Sequence, residues 1–389
     1  AATAATVSFP LLPGSDSMPT PGGDPVWSGL DAREYSGPIE SPGTLIKSVS
    51  LDDAVTLPAA GEAHRILYAT EDVHRIPAVS TGAVFLPKTP VPYGGYPMLA
   101  WAHGTVGLCD DATPSAHARS SRDGRYLDHW LSEGYAVVAT DYVGLGTPGL
   151  MSYLSGVVAA RSVVDSMIAA RQTGLPLANR WAIVGQSQGA AAALNAARRA
   201  TSMSAGSGLD YRGVVATGVP ANIEQIVRLC GPLFPPVVLS PSLTVYLAYI
   251  VTAFGDARPD LRIYEALTER GREVVEMSKT MIFDPLSEEL SDERVNEWFR
   301  RPLATEPAVP RALVDYMSTP YSGYDRPVFL GQGLLDKDVP VLSAGSLYAQ
   351  MATAGQPVEF HLYPNLDHSG TVLASTKDST PFLERILRE

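Results

Sequence analysis

Two cysteines, Cys109 and Cys230, in 389 residues are too few for a four-thiolate zinc or iron–sulfur site, and their separation fits no short metal motif. No metal ligand set is therefore expected, and a disulfide-stapled miniprotein is excluded. Basic residues are also scarce, with 29 Lys and Arg against 41 Asp and Glu and a net charge of −12. Phosphate backbones are bound by clustered Lys and Arg that would have to overcome this field, so no nucleic-acid partner is expected. Long apolar runs are missing too. The greasiest stretch, residues 242–255, falls short of the roughly 18 residues that suggest a membrane span.

Gly and Pro, at 34 and 32 residues, together stay below the roughly 25–30% typical of low-complexity chains. The composition is that of a folded protein, long enough for one large domain with an insertion or for two domains. The opening Ala-Ala-Thr-Ala-Ala has no basic lead and no apolar stretch, as in a chain whose secretory signal was removed after small residues. A chain shortened there would read the same.

Dense turn signals over residues 1–60, such as Pro19-Thr20-Pro21-Gly22-Gly23, predict an extended arm laid on a core. Beyond it, β-branched and aromatic runs alternate with helical patterns. Strands are expected at 63–70, 78–86, 98–102, 135–140, 181–184, 213–217, 328–331 and 358–363, and helices at 123–133, 151–171, 187–199, 341–354 and 381–388. Such alternation predicts an α/β fold with a mostly parallel sheet. No helix fits between the first two strands, so they are expected to pair as a hairpin. Residues 221–310 carry only helical patterns (223–229, 242–254, 261–281 and 293–300) and are expected to form an inserted cap on a core built from 61–220 and 311–389. The pattern at 242–254 is apolar on nearly every face, so that helix must be covered all round or line an apolar cavity.

Gly185-Gln186-Ser187-Gln188-Gly189 follows the apolar run Trp181–Val184 and opens an Ala-rich helix. Gly-x-Ser-x-Gly alone is a weak signal; between a strand and a helix it fits a sharp turn that lifts the serine hydroxyl clear of the sheet. The helix N-terminus then offers N–H groups and a positive dipole end to a developing oxyanion. Ser187 is the expected nucleophile. In the α/β-hydrolase arrangement nucleophile, acid and histidine follow in that chain order. Of seven histidines only His361 and His368 come after Ser187. His361 falls inside a predicted strand, whereas His368 follows it in a loop and is the expected base. For the orienting acid Asp336 and Asp338 compete. The spacing Gly-x-x-Asp-x-x-Val-Pro selects Asp336, and Asp338 is placed to cap the next helix. An oxyanion hole needs converging donors; the N–H groups of Gln188 and of Thr105, which follows a strand ending in His103-Gly104, are the candidates. His103 itself reads as a buried loop residue that shapes the turn.

The segments Trp101–Thr105, Asp141-Tyr142-Val143-Gly144-Leu145-Gly146-Thr147-Pro148-Gly149, Gly185–Gly189, Gly333–Pro340 and Asp367-His368 together resemble the lipase A-like secretory lipases, a Candida-type family of α/β-hydrolases with bacterial relatives. The resemblance implies an α/β-hydrolase fold with a helical cap, secretion, and hydrolysis of carboxylic esters, including long-chain acylglycerols; the contact expected with a lipid–water interface is a transient one. It implies no cofactor and no protein partner. Fungal members carry more cysteines, so their pairing does not transfer. A bridge between Cys109 and Cys230 is nonetheless expected, because a secreted protein rarely leaves two thiols free. The alternatives are an acyltransferase using the same three residues and a catalytically silent binding protein of the same fold.

Overall fold

The computed structural model describes residues 23–388; the first part of the expected arm, with its Ala-rich start, lies outside them. Nine strands form one sheet: β1 (Leu45–Ser50), β2 (Ala60–Glu71), β3 (Pro77–Pro87), β4 (Tyr96–Ala102), β5 (Ala136–Thr140), β6 (Leu177–Gln186), β7 (Asp210–Thr217), β8 (Val328–Gly333) and β9 (Val358–Tyr363). Their spatial order is β1-β2-β3-β5-β4-β6-β7-β8-β9. β1, β2, β3 and β5 pair antiparallel in succession, including the expected β2–β3 hairpin, and from β5 to β9 every pairing is parallel. β1 was not foreseen. Its sequence, Leu-Ile-Lys-Ser-Val-Ser, buries little, as an edge strand can.

Among the described residues eleven α-helices accompany the strands: α1 (Ser121–Ser132), α2 (Gly156–Ala170), α3 (Gln188–Met203), α4 (Glu224–Val227), α5 (Pro241–Ala257), α6 (Glu269–Thr280), α7 (Phe283–Glu289), α8 (Val309–Met317), α9 (Val341–Thr353), α10 (His368–Ala374) and α11 (Thr376–Arg388). The central strands are apolar on both faces because both are covered. Along β4, Met98, Ala100 and Ala102 enter the core shared with α2, α3 and α9, while Leu99 and Trp101 enter the core shared with α1 and α11. This is the two-residue period of a pleated strand.

Helices α4 to α8 fall between β7 and β8, where the strand pattern stops. Two expectations there need correction. The pattern over 261–281 is broken: Arg262 sits at φ +54° between two short 3₁₀ turns, and α6 starts only after Thr268, whose side chain accepts from Gly271 N. The pattern over 293–300 gives only a 3₁₀ turn at Val295–Glu297, because the chain then extends to pair Phe299 with Leu267. α5 is covered all round, with Val245, Leu247 and Ile250 buried, so its apolar faces pack as core. Among the described residues no helix is long and apolar enough to cross a membrane.

Candidate active site

The parallel strands end on one edge of the sheet, and the sequence-selected residues meet there. Ser187 joins β6 to α3 at φ +56° and ψ −120°, a left-sided backbone that a residue with a Cβ rarely adopts. Its N–H donates to Thr217 O at 3.0 Å at the end of the neighbouring strand. Gly185 and Gly189 pack so tightly against each other and against the end of β4 that neither could carry a Cβ in place. This close approach is why small residues flank the serine on both sides.

His368 opens α10, its preceding Asp367 capping the helix by accepting from Gly370 N. The ring is buried, and its Nδ1 lies 2.6 Å from Asp336 Oδ2. The other oxygen of Asp336 accepts from the backbone N–H groups of Asp338 at 2.9 Å and Val339 at 2.7 Å, which pins the carboxylate in the loop after β8. The spacing argument therefore selected the acid that touches the ring. Asp338 does not cap α9: the helix begins at Val341, as its pattern indicates, behind Pro340 and without a side-chain cap. Its carboxylate instead lies within 4.8 Å of the Asp336 and His368 ligand atoms.

The His103-Gly104-Thr105 turn lies beside the serine, since a Cβ on Gly104 would sit 3.7 Å from Ser187 Cβ. Thr105 is buried, with its hydroxyl 2.6 Å from the Tyr153 hydroxyl. Burial keeps the Tyr153 phenol protonated by pushing its pKa up. His103 has Nδ1 2.7 Å from Gly104 O and Nε2 3.2 Å from Asp141 O, the turn-shaping role expected of it. Asp141 accepts from Ser115 N at 2.8 Å and Thr81 Oγ1 at 2.8 Å and lies 3.6 Å from Arg65, so this acid anchors the loop that lines the site. Gln188, the other expected oxyanion donor, begins α3 directly after Ser187; with Tyr142, Met151 and Ala191 it lines a small cavity.

A model of the secretory lipase family matches residues 121–380. The chain belongs to the secretory lipase family. It is a hydrolase of the lipase and esterase class, with the α/β-hydrolase fold of its structural neighbours. The rice cell wall degrading esterase LipA of Xanthomonas oryzae superposes with a TM-score of 0.71 at 19% identity, over 90% of this chain and 99% of that one. Candida antarctica lipase A in its closed state gives 0.72 at 16% identity, over 90% and 83%. A hydrolase of Legionella pneumophila, described as putative in its own name, gives 0.72 at 19%, over 88% and 98%. At such identities the likeness is one of fold. No curated protein matches the chain by sequence.

In this member of the secretory lipase family the expected bridge is absent: Cys109 and Cys230 are both free thiols. Cys109 precedes the turn at Asp110–Ala112, shortly after the His103-Gly104-Thr105 turn. Cys230 follows α4, donates its N–H to Val227 O at 3.0 Å and accepts from Leu303 N at 3.1 Å. Its thiol is fully buried there and pushed up to about 12 by desolvation, so it packs as a small apolar side chain.

Three residues at the site escaped the sequence reading. Gln186, inside the motif itself, places its amide nitrogen 2.8 Å from His368 Nε2. Arg122 reaches Gln186 from α1. Gly218, after β7, has φ +62°, and a Cβ there would lie 2.8 Å from His368 Cε1 and 3.0 Å from Nδ1. Thr-Gly after a strand was the available signal for Gly218; nothing in the local sequence marks Arg122. Gly218→Ala should add backbone strain and push the imidazole off Asp336. The expected result is a loss of kcat of at least about 10²-fold, the scale of an ångström-level misplacement, with KM little changed. Unaltered kcat in folded protein would show that the ring has room.

Proposed function

We propose that this protein is a secreted serine carboxylic ester hydrolase that cleaves acyl esters, with acylglycerols as the substrate class, through an acyl-enzyme on Ser187. The observation that carries the reading is the 2.6 Å contact of His368 Nδ1 with Asp336, next to a serine held in a strained turn at a helix N-terminus. Ser187 Oγ attacks the ester carbonyl while His368 Nε2 takes its proton, and Asp336 supports the imidazolium that forms. The tetrahedral oxyanion is held by the backbone N–H groups of Thr105 and Gln188, with the Thr105 hydroxyl, backed by Tyr153, as a third donor. His368 then protonates the departing alcohol, the acyl group stays on Ser187, and a water activated by the same histidine releases the acid. No metal or organic cofactor enters any step. Residues 221–310 act as the cap that contacts the acyl chain and meets a lipid–water surface.

The helix α5 meets the site through Tyr249, whose ring packs edge-on against Tyr153 with centroids 5.6 Å apart, and through its neighbour Tyr246. Tyr246 is buried, packs against Phe283 with the rings tilted and their centroids 5.8 Å apart, and its phenol is pushed well up by burial and then by the charges of Asp338 and Asp336. Tyr246→Leu should open space between the cap and the acid loop. Each methylene newly accommodated contributes about 0.8 kcal/mol, roughly fourfold. The test is kcat/KM over p-nitrophenyl esters from acetate to palmitate. The account expects turnover on the series and a palmitate-to-butyrate ratio raised by at least about fourfold in Tyr246→Leu. No ester turnover would sink the hydrolase reading, and an unchanged ratio would remove the cap from acyl selection. Added alcohol distinguishes transfer, which would yield a new ester in place of free acid.

A further inference from the structure

Arg122 is an expensive residue to place where it is. Its side chain is wholly buried, it lies in the first turn of α1, where the helix dipole disfavours a cation, and the carboxylate it touches is that of its neighbour Asp123, 3.0 Å from Nε. The remaining donors reach two residues that flank the site. Nη1 donates to Ser369 Oγ at 2.9 Å, directly after the base, and Nη2 donates to Gln186 Oε1 at 3.1 Å, directly before the nucleophile. One guanidinium thus holds both halves of the reacting pair.

The hydrogen-bond chemistry then runs in one direction. A guanidinium can only donate, so Gln186 must present its oxygen to Arg122 and its NH₂ to His368 Nε2, 2.8 Å away. Nε2 must accept, and the ring proton must be on Nδ1, facing Asp336. An imidazolium would set N–H against N–H, and Gln186 cannot turn its amide round without leaving Arg122. Gly104 closes the remaining space, because a Cβ there would lie 2.9 Å from Gln186 Oε1.

We propose that Arg122, acting through the Gln186 carboxamide, is a positioning residue for the base: it fixes the Nδ1–H tautomer of His368 and opposes protonation of the imidazole at Nε2 before substrate arrives. The single lone pair on Nε2 cannot serve two donors, so Gln186 yields it when Ser187 transfers its proton. This inference rests on the reading of His368 as the base. The charged and titratable groups around the ring are Asp336 and Asp338 from the loop after β8, Asp367 beside it, Arg122 with Asp123 on α1, and Tyr246 on α5. Burial pushes the imidazole down, Asp336 by charge and hydrogen bond and Asp338 by charge pull it up, and the balance lies above the ordinary value; Arg122 is the charge that opposes protonation.

The experiment is a ¹⁵N titration of the His368 ring, assigned by loss of its signals in His368→Gln, alongside the pH dependence of kcat/KM on a p-nitrophenyl ester. It is run on wild type, on Gln186→Glu, which keeps the partner of Arg122 but turns the donor facing Nε2 into an acceptor, and on Arg122→Gln, which removes the cation and keeps a donor. In wild type the neutral ring should carry its proton on Nδ1. In Gln186→Glu the ring midpoint and the acid limb of kcat/KM should rise together by more than about one pH unit, and in Arg122→Gln by a smaller amount in the same direction. A wild-type proton on Nε2, or ring midpoints in both variants within about 0.3 unit of wild type, would overturn the proposal. A ring midpoint that moves while the kinetic limb stays would support the relay and overturn His368 as the base. Should Gln186→Glu fail to fold, the wild-type tautomer and Arg122→Gln still decide the matter.

Discussion

Ser187→Ala and His368→Ala should each lower kcat on a p-nitrophenyl ester by roughly 10⁶-fold, the scale seen when the nucleophile or its base is removed from such a unit. Loss of Ser187 leaves no oxygen to acylate. Loss of His368 leaves the serine hydroxyl with its proton, and Gln186 presents an N–H toward the position Nε2 had held and cannot accept a proton there. The double variant should be no worse than either single one, because the residues act together. A residual rate above that in water should survive, since the Thr105 and Gln188 N–H groups do not depend on either side chain. Both substitutions leave the sheet intact, so melting temperatures near wild type are expected. Activity within tenfold of wild type in either variant would remove that residue from the mechanism.

Asp336→Asn and Asp338→Asn should differ by orders of magnitude although the two positions are two residues apart. Asp336 contacts the His368 ring through one oxygen and two backbone N–H groups through the other. An asparagine cannot accept at both ends. Turned to keep the backbone bonds, it directs its NH₂ at His368 Nδ1 and forces the proton onto Nε2, the tautomer that cannot act as base. A fall in kcat of roughly 10⁴-fold follows. Asp338 touches neither the ring by a hydrogen bond nor the end of α9 by a cap; it adds a charge that favours the imidazolium. Asp338→Asn should leave kcat within a few-fold and move the acid limb of the pH profile downward, because the neutral base then persists to lower pH. The reverse pattern would exchange the two carboxylates in the mechanism.

The strand pattern, the hairpin, the run of helices between β7 and β8, the Ser187 turn and the pairing of Asp336 with His368 were legible because each rests on local periodicity or on chain order. Alternating apolar residues mark a strand whether or not its partner is known, and a serine between two glycines at a strand–helix junction carries its own steric reason. β1 was hidden because an edge strand buries few side chains and shows no apolar alternation. Helix boundaries in the insertion were overrun because Arg262 and the Leu267–Phe299 pairing interrupt patterns that composition alone continues. The disulfide expectation failed for a related reason. It rested on compartment and count, whereas Cys230 is enclosed by α4 and the chain near Leu303. Arg122 could not be read at all: its partners lie 64 and 247 residues away, and only the fold brings α1 against the residues next to Ser187 and His368.

The most direct test is to treat the protein with a fluorophosphonate, digest it and locate the adduct by mass spectrometry, before and after inactivation is complete. One phosphonyl group per chain, on the peptide containing Ser187, appearing in step with the loss of esterase activity, is the predicted result. An adduct on any other residue, or complete inactivation with Ser187 unmodified, would contradict the account.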